Sequence, residues 1–395
     1  MERIIMHIDV NNAFLSWTAL ELLKNGYKED IRNIPSIIGG DEKRRAGIVL
    51  AKSSVAKSLG IKTADTIYSA KKICSNLKVF PPDYSMYAKR SRSLFELLLK
   101  YTPDIEIASI DECYLDYTYV KKLYGDEFSF ATKIKSEIYE KLGFTVNIGI
   151  ANSKYCAKMA SDFEKPNKIH TLYDWEIVDK MHPLPIEKLF MVGKSTSHKL
   201  RNLGINTVGD LAKKKEYELR RVFKNQAGFL IKLATGIDNS EVNSSGFIPK
   251  GISNEITLGK DVTSTRELYD CLSKLSLKVA KRVRDENKYA KVICIILKDS
   301  SFKRYSHQKK LKNPVNSYED IYKYSKEILN EFYNGEKIRL IGIRLDNLIE
   351  RKSYQTSLFD NIKKHEDREV DKIIDQINGK YGKDIVKRAS FLEKW

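Results

Sequence analysis

The chain opens on a short, mostly apolar run, Arg3–Ile8, with β-prone residues, and the run stops at Asp9. A second apolar run, IEIASI at 105–110, meets Asp111 and Glu112, and CYLDYT at 113–118 continues as another β-prone stretch. That pattern predicts a hairpin with two carboxylates at its tip. Between them and the next strand-like run, TVNIGIA at 145–151, Phe130, Ile134, Ile138 and Leu142 recur every four positions. This spacing predicts an amphipathic helix over 130–142. TVNIGIA leads into a further helical stretch, NSKYCAKMASDFEKP, and residues 84–105 read as a helix with Tyr87, Ser91, Leu94, Leu98 and Tyr101 near one face. Strands and helices so alternated suit a small α+β sheet with helices over one face.

Later in the chain, residues 268–286 fit an amphipathic helix, and KVICIILKDS (291–300) and KIRLIGIRLDNL (337–348) alternate as strands do. Two strand–helix units of this kind predict a second, ferredoxin-like sheet. Residues 184–212 read as a helix-hairpin-helix. Gly193 ends one element, a helix starts near Lys194–Thr196, and a second turn carries Gly204 and an N-cap at Thr207. The polar stretch TGIDNSEVNSSG (235–246) reads as a linker, with further breaks near Pro166-Asn167 and after Leu348. Val370, Ile373, Ile374 and Ile377 lie at helical spacing in a tail helix, either packed on the body or used for a partner.

Composition narrows the classes. At 395 residues, two to four domains are expected, and 42% apolar with 31% charged residues excludes a disordered chain overall. The longest clean apolar run, VICIIL at 292–297, is far short of the ~18 residues of a membrane span. No secretory h-region follows the N-terminus. Five cysteines (Cys74, Cys113, Cys156, Cys271, Cys294) form no CxxC or Cys/His cluster, so no zinc site and a reducing, cytoplasmic setting are expected.

Charge is the largest anomaly: 70 Lys and Arg against 52 Asp and Glu, or +18. Such a field suits a polyanion, either nucleic acid or an anionic membrane surface, unless it is mere Lys-rich composition. It is uneven. Residues 245–352 carry 23 basic and 14 acidic side chains, half the net excess in 108 residues. A dedicated polyanion-binding region is therefore favoured.

Three carboxylates at neighbouring strand ends repel one another, and burying them without a cation costs several kcal/mol or forces protonation. Mg²⁺ is the natural compensation, because it prefers carboxylate oxygen and leaves positions for phosphates. Two such ions about 4 Å apart stabilise the attacking and leaving oxygens of a phosphoryl transfer. The plainer alternative for an isolated Asp-Glu pair is a solvated turn.

Flanking residues decide between these. SIDECYLD (109–116) closely resembles the catalytic motif of Y-family, translesion DNA polymerases, HIDVNNAF (7–14) looks like their first motif, and GIANSKYCAKMASDFEKPNKI (149–169) is similar to their third. The three occur in the family's order and spacing. The resemblance covers about the first 350 residues and then the tail, and is nearest the UmuC-like bacterial branch.

The resemblance implies an α+β multidomain, right-hand polymerase. Its ferredoxin-like palm would span 1–18 and 78–165, its small fingers 19–77 and its helical thumb 166–235. The linker would be 236–246, the α/β little finger 247–350, and the tail 351–395. Asp9, Asp111 and Glu112 match the catalytic metal ligands, with Val10 offering a backbone carbonyl to the metal. Phe14 matches an aromatic steric gate against the nucleotide sugar; alone, it would read as a core aromatic. Lys165 matches a triphosphate contact, as does Lys57 in the fingers segment GIVLAKSSVAKSLGIKTADTI (47–67), where a solvated helix face is the alternative. Ser54 stands where many relatives carry a Tyr that touches the phosphates, so Ser54 and its neighbour Ser53 are expected at the nucleotide, and Lys168 replaces a usual Gly.

Gly193 and Lys194 in the thumb, and Lys298, Lys303 and Arg304 in the little finger, are the expected DNA contacts. Gln355, Leu358 and Phe359 resemble the bacterial sliding-clamp peptide. The implied partners are primer–template DNA, a deoxynucleoside triphosphate, two Mg²⁺ ions and the clamp. A monomer with no membrane association is expected. The rivals are a non-catalytic DNA- or clamp-binding accessory protein on the same fold, and another palm enzyme such as a nucleotidyl cyclase.

Overall fold

A computed structural model describes residues 2–40, 47–246, 249–350, 363–381 and 385–386. The chain divides into two compact units, the second beginning near residue 248.

The first unit is built around β1 (Ile5–Val10), the middle strand of a five-stranded sheet. The order is β5 (Ile105–Ile107), β6 (Glu112–Asp116), β1, β7 (Val146–Ala151), β8 (Ile169–Leu172). β1 runs antiparallel to both β6 and β7. All six β1 residues are buried, because helices cover both faces of the strand. Side-chain alternation sorts the residues. Ile4, Met6, Ile8 and Val10 join Cys113, Leu115, Val146, Ile148 and Ile150 in the main palm core. That core is closed by α4 (Tyr84–Leu98) and α6 (Glu127–Leu142). The opposite face carries His7, Asp9, Glu112, Tyr114 and Asn147, and α7 (Lys154–Ser161) crosses it.

α1 (Ala13–Lys24) follows β1 and leads to a three-stranded sheet ordered β3 (Val49–Lys52), β2 (Ser36–Gly39), β4 (Lys78–Phe80). α2 (Ser54–Ser58) and α3 (Ile67–Ile73) complete these fingers. The short α5 (Lys121–Tyr124) precedes α6. Beyond β8 come α8 (Lys194–Asn202), α9 (Val208–Ala212), α10 (Glu216–Phe223) and α11 (Ala227–Ala234), the expected helical thumb. Thr207 caps α9, accepting from the Asp210 N–H at 3.1 Å, and Asp210 accepts the Thr207 N–H at 2.9 Å. Gly204 has φ +75°, a conformation that favours glycine.

Three boundaries differ from those expected. α1 runs through the expected palm–fingers break at 18/19, and β4 belongs to the fingers sheet although it lies beyond residue 77. β8 belongs to the palm sheet, so Pro166-Asn167 marks a tight connection between α7 and an edge strand rather than the end of a domain. The linker is also anchored over part of its length. Asp238 accepts the Tyr155 N–H at 3.0 Å, and Glu106 on β5 accepts the Asn243 N–H at 2.7 Å.

The second unit is the expected ferredoxin-like sheet, in the order β–α–β–β–α–β. β9 (Gly251–Val262), α12 (Thr265–Asp285), β10 (Tyr289–Asp299), β11 (Arg304–Val315), α13 (Tyr318–Phe332) and β12 (Ile338–Ile349) give an antiparallel sheet ordered β11–β10–β12–β9. α14 (Lys363–Tyr381) is the tail helix, and it packs on the body of this unit. The face it uses is only partly apolar: Ile374 and Ile377 are half-buried. Val370 and Ile373 are 47% and 52% exposed, while Asp371 is buried at 2%. The Arg284 guanidinium reaches Asp371 at 3.0 Å and Asp375 at 2.8 Å, and the Tyr318 N–H also donates to Asp371. Asp371 and Asp375 lie one turn apart, so one guanidinium can hold both.

Candidate active site

The β5–β6 hairpin forms as expected, and its tip delivers two carboxylates. Asp9 at the end of β1 lies opposite Glu112 at the start of β6. The Val10 N–H donates to the Asp111 carbonyl at 3.0 Å, tying the hairpin tip to β1, while the Val10 side chain is buried in the palm core. Asp111 itself is half-buried and accepts the Ser109 hydroxyl at 2.6 Å.

The centre of this face holds a residue to which no role was given from sequence. The Lys158 ammonium donates to Glu112 Oε1 at 2.8 Å and to Asp9 Oδ2 at 3.2 Å, with Asp162 at 3.4 Å. Lys165 donates to the same Asp9 Oδ2 at 2.9 Å and pairs with Asp162 at 2.8 Å. Carboxylates and ammoniums therefore alternate from Glu112 through Lys158, Asp9 and Lys165 to Asp162. Burial pushes the Asp9 carboxyl upward, opposed by Lys165 and Lys158. The neighbouring His7 ring and the Lys158 ammonium, which donates to Glu112 directly at 2.8 Å, hold the Glu112 carboxyl well below the usual carboxylate range against the opposing effect of burial. His7 Nε2 lies 3.7 Å from Glu112 Oε2, beyond a hydrogen bond, while its Nδ1 is 2.8 Å from Ser161 Oγ.

A buried amide network positions Lys165. Asn11 donates to Asn147 Oδ1 at 2.9 Å, Asn147 donates to the Glu164 carbonyl at 2.6 Å, and the Asn167 N–H donates to Asn11 Oδ1 at 2.8 Å. Both amides therefore fasten the loop after α7 to β1 and β7. Asn147 is a polar residue inside the otherwise apolar β7, whereas Asn11 lies just past the end of β1 and carries no such signal. Lys158 lies in the same motif stretch, 149–169, as Lys165.

Phe14, on the first turn of α1, stacks on Tyr87 with ring centroids 4.5 Å apart and planes 7° apart. Tyr87 is itself pinned by Thr18 at 2.9 Å. The half-buried ring is thus held rigidly, partly in the core and partly exposed.

In the fingers, Ser54 and Lys57 are exposed on α2. Ser53 corrects the expectation for it. It is fully buried, accepts the Ala56 N–H at 3.0 Å as the α2 cap and donates to the Ile34 carbonyl at 2.7 Å, so its hydroxyl is committed to structure. Lys52, at the end of β3, is a further cation of the fingers with no distinguishing mark in the sequence. Burial lowers its pKa, with Lys57 nearby adding to the effect.

Gly193 precedes α8, and Gly193 and Lys194 are both exposed. A Cβ added at Gly193 would meet nothing within 4 Å. In the second unit Arg304 is paired with Glu255 at 2.5 Å, whereas Lys298 and Lys303 have no carboxylate partner among the described residues. Lys298 lies over the exposed Phe302 ring at 4.7 Å, as does Arg339. Gln355, Leu358 and Phe359 lie outside the described residues.

Asp9, Asp111 and Glu112 present only hard oxygen donors, and two of them already converge on one cationic atom, Lys158 Nζ. That donor chemistry fits a divalent cation of the Mg²⁺ type. Among the described residues no three His, Cys, Asp or Glu side chains stand together as a finished metal cage.

Two family models match the chain. The impB/mucB/samB family matches residues 8–162, and the impB/mucB/samB family C-terminal domain matches residues 249–358. The protein called DNA polymerase IV in Clostridium acetobutylicum is 48% identical over 395 residues, 100% of this chain and 99% of that one. DNA polymerase IV 1 of Bacillus subtilis is 32% identical over 99% of this chain and 94% of its own. Among solved structures, a Y-family DNA polymerase chimera, Dbh-Dpo4(243-245)-Dbh, superposes with a TM-score of 0.77. It is 28% identical, over 88% of this chain and all of that one. An insertion ternary complex of Dbh DNA polymerase has the same identity and coverage, with a TM-score of 0.61.

Proposed function

The chain belongs to the impB/mucB/samB family of Y-family DNA polymerases, and from that premise we propose that Asp9, Asp111 and Glu112 are the centre at which it extends a primer. The protein is a DNA-directed DNA polymerase of the translesion kind, acting on DNA and deoxynucleoside triphosphates. The accessory-protein alternative is not favoured. The observation that carries the assignment is the convergence of carboxylates from two adjacent strand ends on one face of the palm sheet.

The reaction is attack of the primer 3′-hydroxyl on the α-phosphorus, forming the new phosphodiester and releasing pyrophosphate. Asp9, Asp111, Glu112 and the Val10 carbonyl would hold two Mg²⁺ ions. These ions supply charge neutralisation at the attacking and leaving oxygens. Lys165, on a braced loop and 37% exposed, can exchange its contact with Asp9 for a triphosphate oxygen. Lys57 and Ser54 face solvent where the fingers would approach the same phosphates. Gly193, Lys194, Lys298 and Lys303 would hold the duplex backbone, and such binding weakens steeply with salt. Residues 355–359 would seat Leu358 and Phe359 in an apolar cleft of the sliding clamp.

Phe14 provides the test. A rigid ring against the sugar excludes a 2′-hydroxyl by contact. On a primed template the wild-type protein adds deoxynucleotides and rejects ribonucleotides, and Phe14→Ala should raise ribonucleotide addition by roughly a hundredfold, about 3 kcal/mol of lost discrimination. Unchanged discrimination would remove the gate. A wild-type protein unable to extend any primed template would overturn the polymerase assignment itself.

A further inference from the structure

Lys158 is tied to the metal site more tightly than a phosphate-binding lysine needs to be. Its side chain is 8% exposed, and its ammonium uses one oxygen of Asp9 and one of Glu112. A divalent cation held by Asp9 and Glu112 would draw on the negative charge that Lys158 now neutralises. Lys165 can leave, since it sits on a loop and is 37% exposed. Lys158 cannot leave readily. It projects from α7, and α7 is pressed on β7 at Gly149, where even a Cβ would stand 2.0 Å from the Ala157 carbonyl.

We propose that Lys158 is a resident counter-cation that competes with divalent metal for Asp9 and Glu112. The protein alone then binds metal weakly. Metal loads fully only with the triphosphate, whose oxygens add ligands and negative charge. Lys158 is a positioning residue in this scheme: it keeps two mutually repelling carboxylates together before substrate arrives and discourages metal binding without substrate. This rests on the assignment of Asp9, Asp111 and Glu112 as metal ligands.

The test is a titration of the full-length protein with Mn²⁺ alone, read by the electron paramagnetic resonance of free Mn²⁺, without nucleotide or DNA. Lys158→Met should bind Mn²⁺ about tenfold tighter or more than wild type, the scale on which one charge a few ångströms away shifts a neighbouring equilibrium. Lys158→Arg, which keeps the charge, should remain weak. Should the Met variant fail to fold, Lys158→Gln carries the same comparison. Equal or weaker Mn²⁺ binding in the neutral variant overturns the competition. Asp111→Asn separates the two layers. If it leaves the tighter Mn²⁺ binding of Lys158→Met intact, the ligand assignment fails. If it abolishes Mn²⁺ binding in both backgrounds but Lys158→Met equals wild type, only the competition fails.

Discussion

Asp111→Asn lowers nucleotide addition by roughly a thousandfold or more, while the fold and DNA affinity stay close to wild type. Of the three carboxylates, Asp111 gives the cleanest comparison. Its side chain contacts the Ser109 hydroxyl and neither lysine of the site. An amide oxygen can still accept that hydrogen bond, so the substitution removes charge and little else. Neutralising Asp9 or Glu112 instead takes a partner from Lys158, whose ammonium is buried, and an uncompensated buried charge costs about 3–5 kcal/mol. Loss of activity there would mix chemistry with folding. Rapid-quench measurement of a single addition, with DNA affinity measured in parallel, checks the expectation. A rate within tenfold of wild type would remove Asp111 from the catalytic set.

Gly149→Ala should cost about 4 kcal/mol or more of stability. The added Cβ would lie 2.0 Å from the Ala157 carbonyl and 2.5 Å from the Ser161 nitrogen, both backbone atoms that no rotamer change can move. Relief requires α7 to lift from β7. Because α7 carries Lys158 and Ser161, lifting also loosens the contacts that Lys158 makes with Asp9 and Glu112 and that Ser161 makes with His7. Urea denaturation gives the value. A loss below about 1 kcal/mol would show that the helix can shift freely. The glycine in that strand is therefore a requirement of packing that brings a helix to the catalytic face.

Much of this was legible in the sequence because it depends on local periodicity. The four-residue spacing from Phe130 to Leu142 gave a helix observed over Glu127–Leu142. The apolar runs around Asp111 and Glu112 gave the hairpin. The alternation in 291–300 and 337–348 gave two strands that pair with each other in the second unit. What stayed hidden depends on tertiary neighbours. Nothing local distinguishes Ser53, buried as a helix cap, from the exposed Ser54. Lys158 and Lys165 look alike in a motif, yet one is buried between two carboxylates and the other is partly exposed.

The tail shows the same limit. Its helical spacing was readable, but of its four apolar residues Val370 and Ile373 are exposed and Ile374 and Ile377 half-buried, while Asp371 docks, because its partner is an arginine 87 positions earlier. The regional charge excess also needed structure to refine it. Arg304 pairs with Glu255 and Lys309 with Glu327 and Glu331, whereas Lys298 and Lys303 have no carboxylate partner among the described residues.

The most direct measurement is single-nucleotide addition by the purified full-length protein on four primer–templates that differ only in the templating base, with Mg²⁺ and one deoxynucleotide at a time. Template-directed synthesis at the Asp9, Asp111 and Glu112 centre requires the favoured nucleotide to change with the templating base, and addition to vanish when template is omitted or Asp111 is replaced by Asn. Addition that ignores the template, or that proceeds equally well with Asp111→Asn, would contradict it.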